Sequence, residues 1–137
     1  MATYRLDPLG IVEAEPAALD DGSALHGLAR DVWARGASRA GVSVRAEPAP
    51  PDAPPGLAEL GPDELLIDVE GAELAGEPAV RTLVLVQLGG VATVVLEQWR
   101  LDAAGRRWEV TATADLALWP RLGAGLRAVV ATLEVEP

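Results

Sequence analysis

The chain has 137 residues, a formal charge of −10, a half-hydrophobic composition and no cysteine. That length can bury a core as one domain without disulfides or metals, and the missing cysteine excludes disulfides, thiol catalysis and Cys-ligated zinc. The negative charge disfavours nucleic-acid and anionic lipid partners.

The charge is uneven: residues 1–77 carry 15 acidic and 5 basic side chains, and residues 78–137 carry 6 of each. An acidic surface commonly serves solubility, and its functional counterparts are a basic partner or metal cations. Phe is absent, so Leu, Val, Ala and four Trp must fill the interior, and every basic residue is Arg. Arg in place of Lys, with abundant Ala, Gly and Pro, is the composition of a GC-rich genome and points to a bacterial source. The start MATYRLDPLG lacks a basic region followed by an apolar run, so no signal peptide is expected. No apolar run approaches the ~18 residues that span a membrane. The expectation is a single cytoplasmic domain over residues 1–137.

In chain order, residues 3–7 (TYRLD) suit a short strand ended by Pro8. A first helix is predicted next: Asp20, Asp21 and Ser23 offer caps, Leu25, Leu28, Ala29, Val32 and Trp33 form a stripe, and Gly41 supplies the stop. Residues 42–47 (VSVRAE) alternate as a strand. The loop 48–56 (PAPPDAPPG) has five Pro in nine residues and is expected to be extended and exposed. Residues 64–70 (ELLIDVE) read as a strand, and 71–78 (GAELAGEP) as a loop or wide turn.

Three β-rich runs between Ala79 and Ala114 form the centre of the chain and predict an antiparallel meander. In the first, Val80–Leu88, both faces are apolar, which calls for cover on both. Gly89-Gly90 suits a two-residue hairpin turn. The second places Val95, Trp99 and Leu101 on one side with Val94 and Leu96 on the other, and Asp102–Gly105 closes the next hairpin. The third opposes Trp108, Val110, Ala112 and Ala114 to Arg107, Glu109, Thr111 and Thr113, so one face needs cover. Asp115 is placed to cap a last helix over Leu118–Thr132, whose stripe of Leu118, Leu122, Leu126, Val129 and Val130 faces the sheet. Residues 133–136 (LEVE) suit a short final strand.

Few residues carry chemistry. His26 is the lone histidine and lies off the predicted apolar stripe, with no Ser or Cys nucleophile motif beside it. Gly123-Ala-Gly125 lacks the Gly-Lys-Ser/Thr ending of a phosphate loop and is read as letting the last helix approach the sheet. Asp63, Glu64, Asp68, Glu70, Glu73 and Glu77 cluster without the ligand spacing of a Ca²⁺ or Mg²⁺ loop. Glu97 and Glu109, on adjacent strands, are the one candidate acid pair, with pairing to Arg100 and Arg107 as the simpler alternative. Among the Trp residues, Trp119, Trp99 and Trp33 are the candidate partner contacts, while Trp108 sits on a clean apolar face and belongs in the core.

The order of parts in the C-terminal half resembles the Mog1/PsbP-like superfamily, whose members include small bacterial lipoproteins and effector chaperones. The resemblance covers residues 79–135: a long strand pair, then RRWEVTAT (Arg106–Thr113), an aromatic opening a helix (Trp119), and VVATL (Val129–Leu133) at the helix end. It implies an α+β fold in which an antiparallel sheet carries helices on both faces, an α/β/α sandwich, with the predicted first helix as one layer. It also implies protein binding rather than catalysis, with no catalytic, cofactor or metal residue to carry over. The leading expectation is a non-enzymatic protein-binding module, a chaperone or adaptor for a secreted or toxin partner, with the sheet edge and the Trp119 region as contact surfaces and its acidic half meeting a basic protein. The alternatives are a small-ligand or lipid-binding protein with a pocket between sheet and helix one, and an enzyme of unfamiliar type using carboxylates. A homodimer built on the sheet is compatible with each.

Overall fold

Branched and aromatic side chains dominate residues 79–114, and these fit a pleated, half-buried surface. The computed structural model describes residues 3–7, 17–18, 24–27, 40–50, 52, 54–56, 60–88 and 92–136, with the backbone alone at 17–18, 24–27, 88 and 92. Among these residues the elements run β1 (Thr3–Arg5), β2 (Ala17–Ala18), β3 (Ala24–Gly27), β4 (Gly41–Pro48), β5 (Glu64–Leu74), β6 (Glu77–Leu88), β7 (Ala92–Ala103), β8 (Arg106–Asp115), α1 (Trp119–Val130) and β9 (Glu134–Glu136). A seven-stranded sheet has the order β2-β3-β4-β8-β7-β6-β5, and β1 pairs separately with β9. All pairings are antiparallel.

The predicted meander forms, and it is longer than expected. β5 to β8 are four successive antiparallel strands, because residues 71–74 and 77–78 are strand rather than loop: β5 runs to Leu74 and β6 begins at Glu77. The turn between them is Ala75-Gly76, with φ of 54° and 76°, and Ala104-Gly105 repeats it between β7 and β8 with 54° and 75°. Two consecutive positive φ values suit the right-handed twist of a two-residue hairpin, and Asn-Gly is the usual sequence there. This chain has no Asn, so Ala takes the left-handed position at a cost of about 1–2 kcal/mol. Ala104 is exposed. Ala104→Asn is therefore expected to raise the unfolding free energy by about 0.5–1 kcal/mol, read from urea denaturation. The Gly89-Gly90 connection lies outside the described residues.

One face of the sheet meets α1. Register places Val42 and Val44 of β4, Trp108, Val110, Ala112 and Ala114 of β8, and Val95, Trp99 and Leu101 of β7 on this side. All are at most 8% exposed. α1 packs on β8 and β4 through Leu126, Val129 and Val130, the stripe expected of it, and Leu133 follows into the core. The helix starts differently from its prediction: its N-cap is Leu118, with no side-chain capping bond, and Asp115 contributes its carbonyl to Leu118 N–H at 2.8 Å. The β1–β9 ribbon closes one end. There Tyr4 meets Trp108 edge-to-face at 5.7 Å, and Asp7 N–H donates to Thr132 Oγ1 at 2.9 Å.

The expected α/β/α sandwich is not what forms. The described residues are mostly β with α1 as their single helix, and they do not place helices on both faces of the sheet. The stripe read as a first helix begins inside a strand: Ala24, Leu25, His26 and Gly27 pair with Val44, Ser43, Val42 and Gly41. The free edge of β4 offers these residues backbone partners, and tertiary pairing of this kind overrides a weak helical preference. Residues 28–39, Trp33 included, lie outside the described residues. The far face is nonetheless covered around β6, where Thr82 and Val84 are 3% and 5% exposed. Part of that face is capped by the Pro-rich loop, since Arg100 donates to the Gly56 carbonyl at 2.7 Å. Pro55 and Gly56 are accordingly half-buried rather than standing away as a linker.

Candidate functional site

A carboxylate lies at the centre of the α1-facing side. Glu97 pairs in register with Leu83 of β6 and Ala112 of β8, which points it towards α1, and it is 0% exposed. A buried ionised carboxylate persists only when paired and hydrogen-bonded. Arg81 of β6 donates from Nε at 2.9 Å and Nη2 at 2.5 Å to its Oε2. Arg127 of α1 donates from Nε to Oε1 at 2.6 Å and from Nη2 to Oε2 at 2.9 Å. Arg81 extends the network outward, its Nη1 reaching Asp68 at 3.2 Å and Glu70 at 3.0 Å on β5. Burial of Arg81 works against its charge, but the hydrogen bond and charge of Glu97, with help from Asp68 and Glu70, outweigh this and hold its pKa above the ordinary value.

Trp119 anchors the outer end of the network. The Arg127 guanidinium lies 5.4 Å from the centre of its ring, a cation–π distance. The ring folds back along its own helix over Gly123, where a Cβ would stand 3.1 Å from the indole. So Gly123 makes room for Trp119, not for a close approach of α1 to the sheet. Gly125 is different, because a Cβ there would meet nothing within 4 Å. Gly125→Ala is expected to stabilise the protein by about 1 kcal/mol, whereas Gly123→Ala gains nothing comparable because the ring must shift; thermal denaturation of the two variants checks this.

The candidate acid pair does not converge. Glu97 faces α1, whereas Glu109 pairs in register with Arg100 on the opposite face, 3.7 Å from its Nε. Both oxygens of Glu97 are occupied by guanidinium groups. Pairing with Arg was the simpler reading, and it holds in part: Glu109 meets Arg100 as expected, Glu97 takes Arg81 and Arg127 instead, and Arg107 joins Asp102 through two bonds of 2.8 and 3.0 Å. His26 stands on β3 opposite Val42. In the acidic segment 63–77 Asp68 and Glu70 come together on Arg81, but among the described residues no group of three or more His, Asp or Glu is placed to hold a metal ion.

Two features on the surface offer binding geometry. A cleft of ≈ 900 Å³ runs between the C-terminal half of α1, the β5–β6 turn and the β1–β9 ribbon, with Trp99, Leu74 and Val130 in its lining and Arg127, Arg5 and Glu73 among its polar groups. Trp99, a candidate contact, is core at 8% exposure and lines this cleft. Trp119 is half-buried under Arg127. The second feature is β5, the end of the sheet order. Leu65, Ile67 and Val69 there are 61%, 49% and 44% exposed, beside a register shift between Leu66 and Asp68. The sequence pointed to a sheet edge as a contact surface without showing that β5 forms it, and it did not show the Arg81–Glu97–Arg127 cluster. The apolar run Leu65-Leu66-Ile67, which breaks alternation within an acidic stretch, was the available signal for the edge.

Among the described residues no helix is long and apolar enough to cross a membrane. No family model and no curated protein matches the chain. Among solved structures it is similar to the "Crystal structure of LpqN involved in cell envelope biogenesis of Mycobacterium tuberculosis", with a TM-score of 0.44 and 12% identity over 99% of this chain and 92% of that one. This is a remote structural relation, and the Mog1/PsbP-like membership expected from the sequence does not follow from it.

Proposed function

We propose that this chain is a non-enzymatic protein-binding module that takes its partner at the β5 edge. The observation that carries the reading is the exposure of Leu65, Ile67 and Val69 on an 11-residue strand that ends the sheet among the described residues. Folded proteins usually shorten, bury or protect such an edge because its free backbone groups template another strand. A long edge with exposed apolar side chains suits strand addition, in which backbone bonds give affinity and alternate side chains give specificity. A chaperone or adaptor for a secreted protein is a role that fits an edge able to hold an extended chain.

Affinity capture from bacterial lysate with the native protein and with a Leu65→Ser/Ile67→Ser variant tests the reading. A protein retained by the first and lost by the second is the expected result. Identical sets on both, with the variant folded by circular dichroism, sink it.

A second reading is supported by the cleft: a small amphiphilic ligand held against Trp99, between the sheet and α1 rather than helix one. Native mass spectrometry of the purified protein checks it. A retained mass that disappears when Ala131→Trp fills the cleft supports this reading, and a bare mass from several preparations counts against it.

A further inference from the structure

The β5 edge carries a charge pattern as well as an apolar one. Between Asp63 and Glu77 there are six carboxylates and no basic side chain. Asp68 and Glu70 stand on the α1 side, 52% and 56% exposed, and both are reached by the single Nη1 of Arg81. The other two nitrogens of that guanidinium are taken by Glu97. Arg81 is thus divided among three carboxylates, of which Glu97 is also held by Arg127, and the edge at Asp68 and Glu70 stays net negative. Between Asp68 and Glu70, Val69 points to the opposite face and is 44% exposed. A chain laid along β5 therefore meets carboxylate, apolar and carboxylate groups in succession, alternating between the two faces.

Resting on the function proposed above, we infer that the partner supplies an extended segment in which Arg or Lys alternates with apolar residues, adding to the sheet as a further strand beside β5. Directly opposed residues on paired strands lie close enough for opposite charges to attract and like charges to repel. A basic side chain opposite Asp68 and another opposite Glu70 complete the ion pairs that Arg81 leaves half made, and an apolar residue between them covers Val69. The same charges disfavour a second copy of this chain, whose β5, paired about Val69, would set Asp68 against Glu70. The bulge at Leu66–Asp68 and the edge carboxylates are the devices that keep edges from self-pairing; here they admit a strand of opposite charge.

Fluorescence anisotropy with the full chain and three labelled peptides tests this: alternating Arg-Val, alternating Glu-Val, and the Arg-Val peptide with proline at its centre, each of about nine residues to span most of β5. The Arg-Val peptide is expected to bind at least about tenfold more tightly than the other two, to weaken with salt, and to lose about tenfold with Asp68→Asn/Glu70→Gln. It should also slow amide exchange in residues 64–74. Equal binding of the proline peptide, or protection absent from β5, overturns the inference by reducing the effect to a polyanion attracting a polycation. Tight binding of the Glu-Val peptide at β5 overturns the charge assignment while leaving the edge reading intact. Concentration-dependent dimerisation in light scattering, abolished by Leu65→Ser/Ile67→Ser, overturns it in favour of a second copy.

Discussion

Glu97→Ala is expected to lower the unfolding free energy by about 3 kcal/mol, the lower end of the ~3–5 kcal/mol lost when one member of a buried ion pair is removed. Glu97 is fully buried and Arg81 retains only 14% side-chain exposure, so deletion of the carboxylate leaves a desolvated guanidinium without its main partner. The loss stays at the lower end for two reasons. Arg81 keeps Asp68 and Glu70, and Arg127, 47% exposed, can turn its charge to solvent. Urea denaturation followed by circular dichroism gives the number. Glu97→Leu combined with Arg81→Met should recover most of it, because a buried pair replaced by apolar groups of similar volume is often neutral or stabilising. A single-variant loss below about 1 kcal/mol would mean that the cluster is wet and that Arg81 swings out at no cost.

Trp108→Ala is expected to cost about 3–5 kcal/mol, in the range for truncating a buried aromatic. The indole is 2% exposed, donates to the Ala103 carbonyl at 3.0 Å, and meets Tyr4 edge-to-face. Its loss opens a cavity under the β1–β9 ribbon, a two-stranded pair that has little stability of its own. Amide exchange should therefore accelerate in residues 3–5 and 134–136 beyond the global effect. Trp108→Phe, which keeps a ring for Tyr4, should spare the ribbon while still losing part of the total. Exchange in the ribbon that follows only the global stability would show that it is held by its own pairing and not by Trp108.

The local pattern carried most of the strands. Period-two alternation in Arg106–Asp115 identified the strand and its core face, and the three-to-four spacing of Leu122, Leu126, Val129 and Val130 identified the helix and the side it buries. Short runs with mixed signals were another matter. Ala24–Gly27 carries a helical spacing, yet the decisive term is the open edge of β4, which is far away in sequence and invisible to a local window. Residues 71–78 looked like a loop because Gly71, Gly76 and Pro78 are turn-formers, but only Ala75-Gly76 turns. The buried cluster was hidden for a similar reason. Glu97 falls on the apolar side of its strand, a mismatch that is readable, whereas its partners Arg81 and Arg127 come from two other elements and only the sheet register brings them together.

On the ribosome, β4 emerges well before β8, the strand it pairs with, while β5 to β8 follow one another as hairpins. At ~5–20 residues per second, the gap between β4 and β8 is on the order of seconds, far longer than hairpin formation. The sheet order therefore makes the C-terminal strands a unit that closes early, and β2, β3 and β4 a unit that waits for it. During that interval the inner edge of β4 stands open, and a chaperone met then would find its target in the nascent β4 segment GVSVRAEP.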